Sequence, residues 1–260
     1  MLGWIDLHCH WVAGIDDGAR SELEGLEILA KLGRLGFSTV VATPHMRPGM
    51  FDNERLDLER AYDRMLPALT RTSVERAEAS RAETSAERDV QAGTWPAVHL
   101  SSEHYFDDVV VERILRGDAL PYPGGKAILL EFYEVTFSYA VERSLFAMQR
   151  QGLTPVIAHP ERYRPFWTEP ERLERLVELG AVALLDACSV VGKYGQQVRR
   201  CALELLERET YGAACSDAHR PEDVDQLAQA LDWLRQQYGA DELEFLFGQG
   251  PRAILAGTLP

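Results

Sequence analysis

A parallel α/β barrel of the TIM type, with seven strands, is the fold this 260-residue sequence predicts, and three observations predict it. Seven short apolar segments, at about 4–8, 37–43, 97–103, 127–132, 154–159, 181–187 and 212–216, read as strands. Most are separated by stretches with helical spacing, and that alternation is the pattern of parallel βαβ units. The third observation chooses between an open sheet and a closed one. His8, His45, Glu103, Glu131, His159 and Asp217 stand at or just beyond the C-terminal ends of six different segments. An open sheet gathers ligands mainly at one switch-point crevice, whereas a barrel brings all its strand ends around one mouth.

Taken in order, Trp4-Ile5-Asp6-Leu7 is an apolar strand that runs into His8-Cys9-His10. Alternation along a strand puts His8 and His10 on one face, so both imidazoles can reach a common point. The loop after them carries Asp16-Asp17-Gly18, a source of hard oxygen donors. Residues 22–35 place Leu23, Leu26, Leu29 and Leu32 at helical spacing before Gly36 stops the run. The strand from Phe37 to Ala42 exits through Thr43-Pro44-His45; proline cannot donate to a sheet, which projects the next side chain outward. Residues 70–95 are rich in Ala, Glu, Arg and Ser, with no amphipathic period, and read as a surface excursion from a single domain spanning 1–260. Glu103 follows Val98-His99-Leu100-Ser101-Ser102, and Glu131 follows Ala127-Ile128-Leu129-Leu130. An unpaired carboxylate in the second setting would cost roughly 2–7 kcal/mol, so Glu131 calls for a cation. His159 ends Pro155-Val156-Ile157-Ala158, helices are expected at 171–179 and 197–208, and Asp217 and His219 follow the last strand.

Composition excludes several classes. A hydrophobic fraction of 46% at this length supports a large core, and no run of eighteen apolar residues suggests a membrane-spanning helix. A formal charge of −14 argues against nucleic-acid binding, which relies on clustered Lys and Arg. Cys9, Cys188, Cys201 and Cys215 show no paired spacing, and without a secretory signal they read as reduced thiols of a cytoplasmic protein.

Five of the seven histidines (His8, His10, His45, His159 and His219) fall in strand-end motifs, together with the carboxylates Asp17, Glu103, Glu131 and Asp217. Nine such ligands are too many for one four-coordinate ion and suit two or three divalent ions sharing bridging carboxylates. The imidazole and carboxylate mixture accepts Mn²⁺, Fe²⁺, Zn²⁺ and Co²⁺. His99 and His104 are left over, and His104, next to Glu103, should point to the opposite face.

The segments Asp6-Leu7-His8-Cys9-His10, Asp16-Asp17-Gly18-Ala19, Ala42-Thr43-Pro44-His45, Leu130-Glu131-Phe132, Ala158-His159-Pro160-Glu161-Arg162-Tyr163 and Ser216-Asp217-Ala218-His219 resemble, in order, the signatures of the polymerase and histidinol phosphatase (PHP) superfamily. Within it the chain is most similar to the manganese-dependent protein-tyrosine phosphatases of bacterial capsule and exopolysaccharide operons. The resemblance implies a distorted seven-stranded PHP barrel and a three-metal site preferring Mn²⁺. It would place His8, His10, Glu131 and Asp217 around one ion, Glu103, Glu131 and His159 around a second, and Asp17, His45 and His219 around the third, with Glu131 bridging. Arg162, His45 and His219 would serve catalysis, and Arg162, Arg220 and Arg47 would face the substrate phosphate. Two departures stand out: Ser101-Ser102 precedes Glu103 where the family usually has Gly before the acid, and Arg220 directly follows His219 where the family's second arginine lies several residues on.

The implied reaction is in-line hydrolysis by water that the ions activate, with a phosphotyrosine protein as partner, expected to be the tyrosine-rich tail of a bacterial tyrosine kinase. A cysteine mechanism is excluded, because the residues six positions after the four cysteines are Ile15, Tyr194, Glu207 and Pro221, none of them arginine. The rival expectations are a histidinol-phosphatase-like small-molecule phosphatase or phosphodiesterase, and a non-catalytic regulatory partner of a polysaccharide kinase.

Overall fold

The computed structural model describes residues 3–70, 95–133 and 140–259, so the expected excursion at 70–95 lies almost wholly outside the described residues. The described strands are β1 (Trp4–Cys9), β2 (Phe37–Ala42), β3 (His45–Met46), β4 (Ala97–Leu100), β5 (Glu103–Tyr105), β6 (Ala127–Glu131), β7 (Thr154–Ala158), β8 (Val182–Asp186) and β9 (Tyr211–Cys215). All pairings are parallel, in one sheet ordered β1-β2-β4 and another ordered β3-β5-β6-β7-β8-β9.

Among the described residues nine strands stand where seven were expected, because a short strand follows the segment at 37–43 and the segment at 97–103 is interrupted. Pro44, which has no N–H to give, separates β2 from β3. The expected strand at 97–103 breaks at Ser101-Ser102, whose hydroxyls donate to the Leu120 carbonyl at 3.0 Å and the Pro44 carbonyl at 2.7 Å. Main-chain bonds span the breaks: Ser101 N–H donates to Ala42 O at 2.8 Å and Thr43 N–H to Cys9 O at 2.9 Å. At the other edges, His10 N–H donates to Ala218 O and Asp217 N–H to His8 O, both at 2.9 Å, bringing β1 beside the chain that leaves β9.

The strands read as continuous apolar runs because both of their faces are covered. Ile128, Leu130, Ile157, Ala183, Leu185 and Ala214 join the large cluster that the helices cover. Ile5, Leu7, Val41, Leu129, Val156, Val182, Leu184 and Ala213 form a separate cluster on the opposite face. In β1 the parity changes, since Leu7 belongs to the inner cluster but Cys9 to the outer one. A register irregularity between Asp6 and Cys9 makes that switch and turns His8 and His10 inward above Leu7.

Helix signals agree locally with the sequence. Ser21 caps the helix Glu22–Arg34 by accepting from Glu24 N–H, with Glu22 and Glu24 in its first turn and Lys31 and Arg34 in its last. That charge order complements the helix dipole. Leu26, Leu29 and Leu32 are buried as the spacing predicts, while Leu23 is exposed.

Candidate metal centre

Most of the polar residues that gather at the C-terminal ends of the strands are placed by the strand end before them. Register sets their depth: Glu103 pairs with Leu129 across β5 and β6, and Tyr105 pairs with Glu131. Glu131 therefore sits about two residues, roughly 7 Å, further toward the mouth than Glu103. His159 and Asp217 leave their strands in left-handed backbone conformations, with φ of 34° and 45°. Non-glycine residues adopt that region rarely and at a cost, and such strain clusters at functional sites.

The nine expected ligands meet in four overlapping groups: His8, His10 and Asp217; His8, Glu103 and His159; His45, Glu103 and Glu131; and His10, Asp17, His45 and His219. Glu103 is the hub. One of its oxygens lies 3.1 Å from His8 Nε2, 3.4 Å from His10 Nε2 and 3.1 Å from His45 Nδ1, and the other lies 2.9 Å from His159 Nε2. The ion pairs of Glu131 are longer, 3.8 Å to His45 and 3.6 Å to Arg47. The resemblance gives the bridging role to Glu131, whereas the shorter contacts converge on Glu103, which stands two residues deeper.

The donor set fits cations rather than hydrogen bonds. His8 Nε2 and His10 Nε2 face each other at 3.1 Å. His45 Nδ1, Glu131 Oε2 and Asp217 Oδ1 are buried without hydrogen-bond partners, although each lies within 4 Å of an opposite group. Buried polar atoms ordinarily find partners, so atoms this close yet misaligned converge on a shared centre. Charge points the same way. Burial, reinforced by the charge of Glu103, pushes Glu131 up to about 7. Burial would also raise Glu103, but the imidazoles of His8 and His45 hold it well below the usual carboxylate range.

Asp16, beside the expected ligand Asp17, sits behind the site. It accepts from His10 Nδ1 at 2.8 Å, from His45 N–H at 3.0 Å and from Gly18 N–H at 2.9 Å. With Nδ1–H so engaged, the lone pair of His10 Nε2 faces the site, the usual way an outer carboxylate orients a ligand imidazole. His219 is oriented similarly, through Nδ1 to the Asp217 carbonyl at 3.0 Å.

The three expected phosphate arginines occupy different settings. Arg162 is mostly buried and pairs with Asp186 and Asp217, its guanidinium 3.8 Å above the Tyr194 ring. The carboxylates of Asp217 and Asp186, against the cost of burial, hold it firmly charged. Arg47 lies 4.1 Å over the Tyr105 ring at the rim. Arg220 instead donates to the carbonyls of Asp17, Gly18 and His219, which ties the Asp17 loop down.

Several residues of the site escaped the sequence reading. Asp186 and Tyr194 hold Arg162, and nothing short of the fold brings them to it. Glu161 is wholly buried, pushed up to about 7 by burial and by Asp186, and it accepts from Ser189 Oγ, Tyr211 Oη and the Asp186 N–H. Asp6 accepts from the N–H and hydroxyl of Ser216, joining β1 to the end of β9. His104 points away from the metal ligands, accepting from Leu120 N–H at 3.2 Å and donating to Leu129 O at 3.0 Å. Burial depresses it to about 4.

A family model described as capsular polysaccharide synthesis, CpsB/CapC, matches residues 4–256. The tyrosine-protein phosphatase YwqE of Bacillus subtilis strain 168 is 28% identical over 253 residues, covering 96% of this chain and 91% of that one. The tyrosine-protein phosphatase CpsB of Streptococcus pneumoniae is 26% identical over 263 residues, covering 98% and 99%. Among solved structures, one from work on YwqE and CpsB, described as metal-dependent tyrosine phosphatases, aligns with a TM-score of 0.80 at 27% identity, over 98% of this chain and 95% of its own. A phosphotriesterase homology protein from Escherichia coli shares the fold at a TM-score of 0.56 and 12% identity, over 98% and 99%.

Proposed function

This chain belongs to the CpsB/CapC family of capsular polysaccharide synthesis proteins, and from that premise we propose that it is a metal-dependent phosphatase of phosphotyrosine on proteins. The observation that carries the reading is the buried Glu103 carboxylate within 3.4 Å of ring nitrogens from four histidines, beside His45 Nδ1, Glu131 Oε2 and Asp217 Oδ1, which lack hydrogen-bond partners. Similarity to the tyrosine phosphatases YwqE and CpsB supplies the substrate class.

His8, His10, Asp17, His45, Glu103, Glu131, His159, Asp217 and His219 would hold two or three divalent ions, with Mn²⁺ first and Fe²⁺, Zn²⁺ or Co²⁺ as alternatives. Such ions supply Lewis acidity toward the phosphoryl oxygens and lower the pKa of water. Arg162, kept charged and supported by Tyr194, is the group suited to paired charge-assisted bonds with phosphate oxygens. His45 and His219 stand with Asp17 at the open side of the centre, where substrate must enter. Arg47 at the rim is a second cation for the phosphate, and Arg220 serves it indirectly by fixing the Asp17 loop.

The same reading takes the two sheets as one distorted seven-stranded barrel, with β2 and β3 counted as one stave and β4 and β5 as another. The backbone bonds joining β1 to the end of β9 support it. Four buried free thiols agree with a cytoplasmic site of action, where the tyrosine-rich tail of a kinase would be the substrate. The experiment is a side-by-side assay of the Mn²⁺-loaded protein on a phosphotyrosine peptide and on histidinol phosphate. Preference for the peptide is expected; preference for histidinol phosphate overturns the assignment.

A further inference from the structure

Among the described residues the mouth carries an apolar lip at 50–51, and the centre beneath it does not account for that lip. After β3 the chain doubles back in a tight turn at 47–51. Arg47 and Phe51 form an antiparallel bridge, in which Arg47 N–H donates to Phe51 O at 3.1 Å and Phe51 N–H to Arg47 O at 2.8 Å. Gly49, at φ +82°, makes the reversal possible, and its N–H donates to Asp52 Oδ1 at 2.6 Å. Asn53 Nδ2 anchors the base of the turn by donating to Ile15 O at 3.0 Å and His45 O at 2.9 Å. Backbone and side chains together hold this turn in one shape.

What it presents is apolar. The Phe51 ring lies parallel to the imidazole of His45, at 6° and 5.2 Å between centroids, and Met50 beside it is 61% exposed. Most of the surrounding mouth is charged: Asp17, Glu131 and Arg47 lie within a few residues or a few ångströms of His45. A half-buried phenyl and an exposed thioether on a rigid ridge above a charged centre are matched by a ligand that is charged at one end and flat and apolar beyond it.

We propose that Phe51 and Met50 form the specificity wall for the aryl ring of the substrate: the phosphoryl group enters the centre, and the ring to which it is attached packs on the Met50–Phe51 ridge. The inference rests on the phosphotyrosine phosphatase reading and deepens it by naming the surface that tells an aryl phosphate from an alkyl one. Offset or edge contacts between aromatic rings, and thioether contacts with ring edges, are the interactions such a wall provides. The wall touches the part of the substrate that does not react, so its loss should raise KM more than it lowers kcat.

Binding tests this independently of turnover. Phenylphosphonate and methylphosphonate carry similar charged heads and differ in the ring, so the ratio of their dissociation constants reads the wall alone. Calorimetric titration of the Mn²⁺-loaded full chain should show the phenyl compound binding more tightly. In Phe51→Leu that preference should fall by about fivefold or more, with methylphosphonate affinity and bound Mn²⁺ unchanged; Met50→Ala should show a smaller loss of the same kind. If both variants keep the wild-type ratio, or weaken both ligands equally, the wall does not exist and Phe51 only shields His45. A wild-type protein that hydrolyses no phosphotyrosine peptide would instead defeat the phosphatase reading, and the phosphonate ratio would still report on the ridge.

Discussion

The same strands build two chemically opposite regions, and β5 and β6 show the boundary most sharply. Glu103 and Leu129 are register partners on adjacent strands, both buried. Leu129 belongs to an apolar cluster with Ile5, Val156, Val182 and Ala213, whereas Glu103 lies among four imidazoles. Below that line the strands present apolar side chains that pack on one another, among them Leu129, Val156, Val182 and Leu184. Above it, buried atoms lack partners and two residues adopt left-handed backbone. Stability and chemistry are thus divided along the length of each strand rather than between separate elements, and the cost of the upper half is offset by the packing of the lower half.

That division is best broken at the Glu103 and Leu129 pair. Glu103→Ala should lose at least one metal equivalent and reduce turnover on the order of 10³-fold or more. Leu129→Ala should do the reverse: about 2–5 kcal/mol less stable, with metal content and turnover per folded molecule nearly intact. Equal effects of the two variants on metal content would erase the boundary. Glu131→Ala should be milder than Glu103→Ala by about tenfold in turnover, since the ion pairs of Glu131 are longer; a larger loss than that of Glu103→Ala would restore Glu131 as the bridge.

Smaller effects sharpen the picture at the rim. Arg162→Lys keeps a charge but loses the planar fork and the stack on Tyr194, so kcat/KM should fall about tenfold with metals retained. The loss should be the same for a phosphotyrosine peptide and a small aryl phosphate, and a loss confined to the peptide would make Arg162 a docking residue. The smallest expected effect is none at all. Cys9, Cys188, Cys201 and Cys215 are buried and free, and burial raises all four thiols. Thiol alkylation of the native protein should therefore leave hydrolysis unchanged where a chelator abolishes it.

Most of the candidate ligand groups were legible because their members follow apolar runs, and a strand end is a place where sequence neighbours predict a shared destination; Asp17, in a loop, is the exception. His104 was legible for the same reason, by alternation from Glu103. Relative depth was not: the two residues by which Glu131 stands above Glu103 come from inter-strand register, which no single segment encodes. The broken strand at Ser101-Ser102 was hidden because serine suits a strand end and a strand interruption alike, and its hydroxyl bonds are to residues 19 and 58 positions away. Asp186 and Tyr194 were hidden too, since their partner Arg162 lies more than twenty residues back. Asp16 was in view beside Asp17, but which of two adjacent carboxylates faces the ions and which faces the histidine behind them depends on the loop's path.

The bonds between His8, His10, Asp217 and Ala218, with Asp6 held by Ser216, join chain segments about two hundred residues apart. Contacts of such separation form late, because a long loop must close before they return any free energy. During synthesis, neither of the clusters that contain His10 can be complete until the last strand has emerged. A nascent or truncated chain cannot present the finished centre, and capture of ions becomes a report that both ends have met. In pulsed hydrogen exchange, the amides of His10 and Asp217 should gain protection together, after those of β6 to β8, and added Mn²⁺ should speed neither.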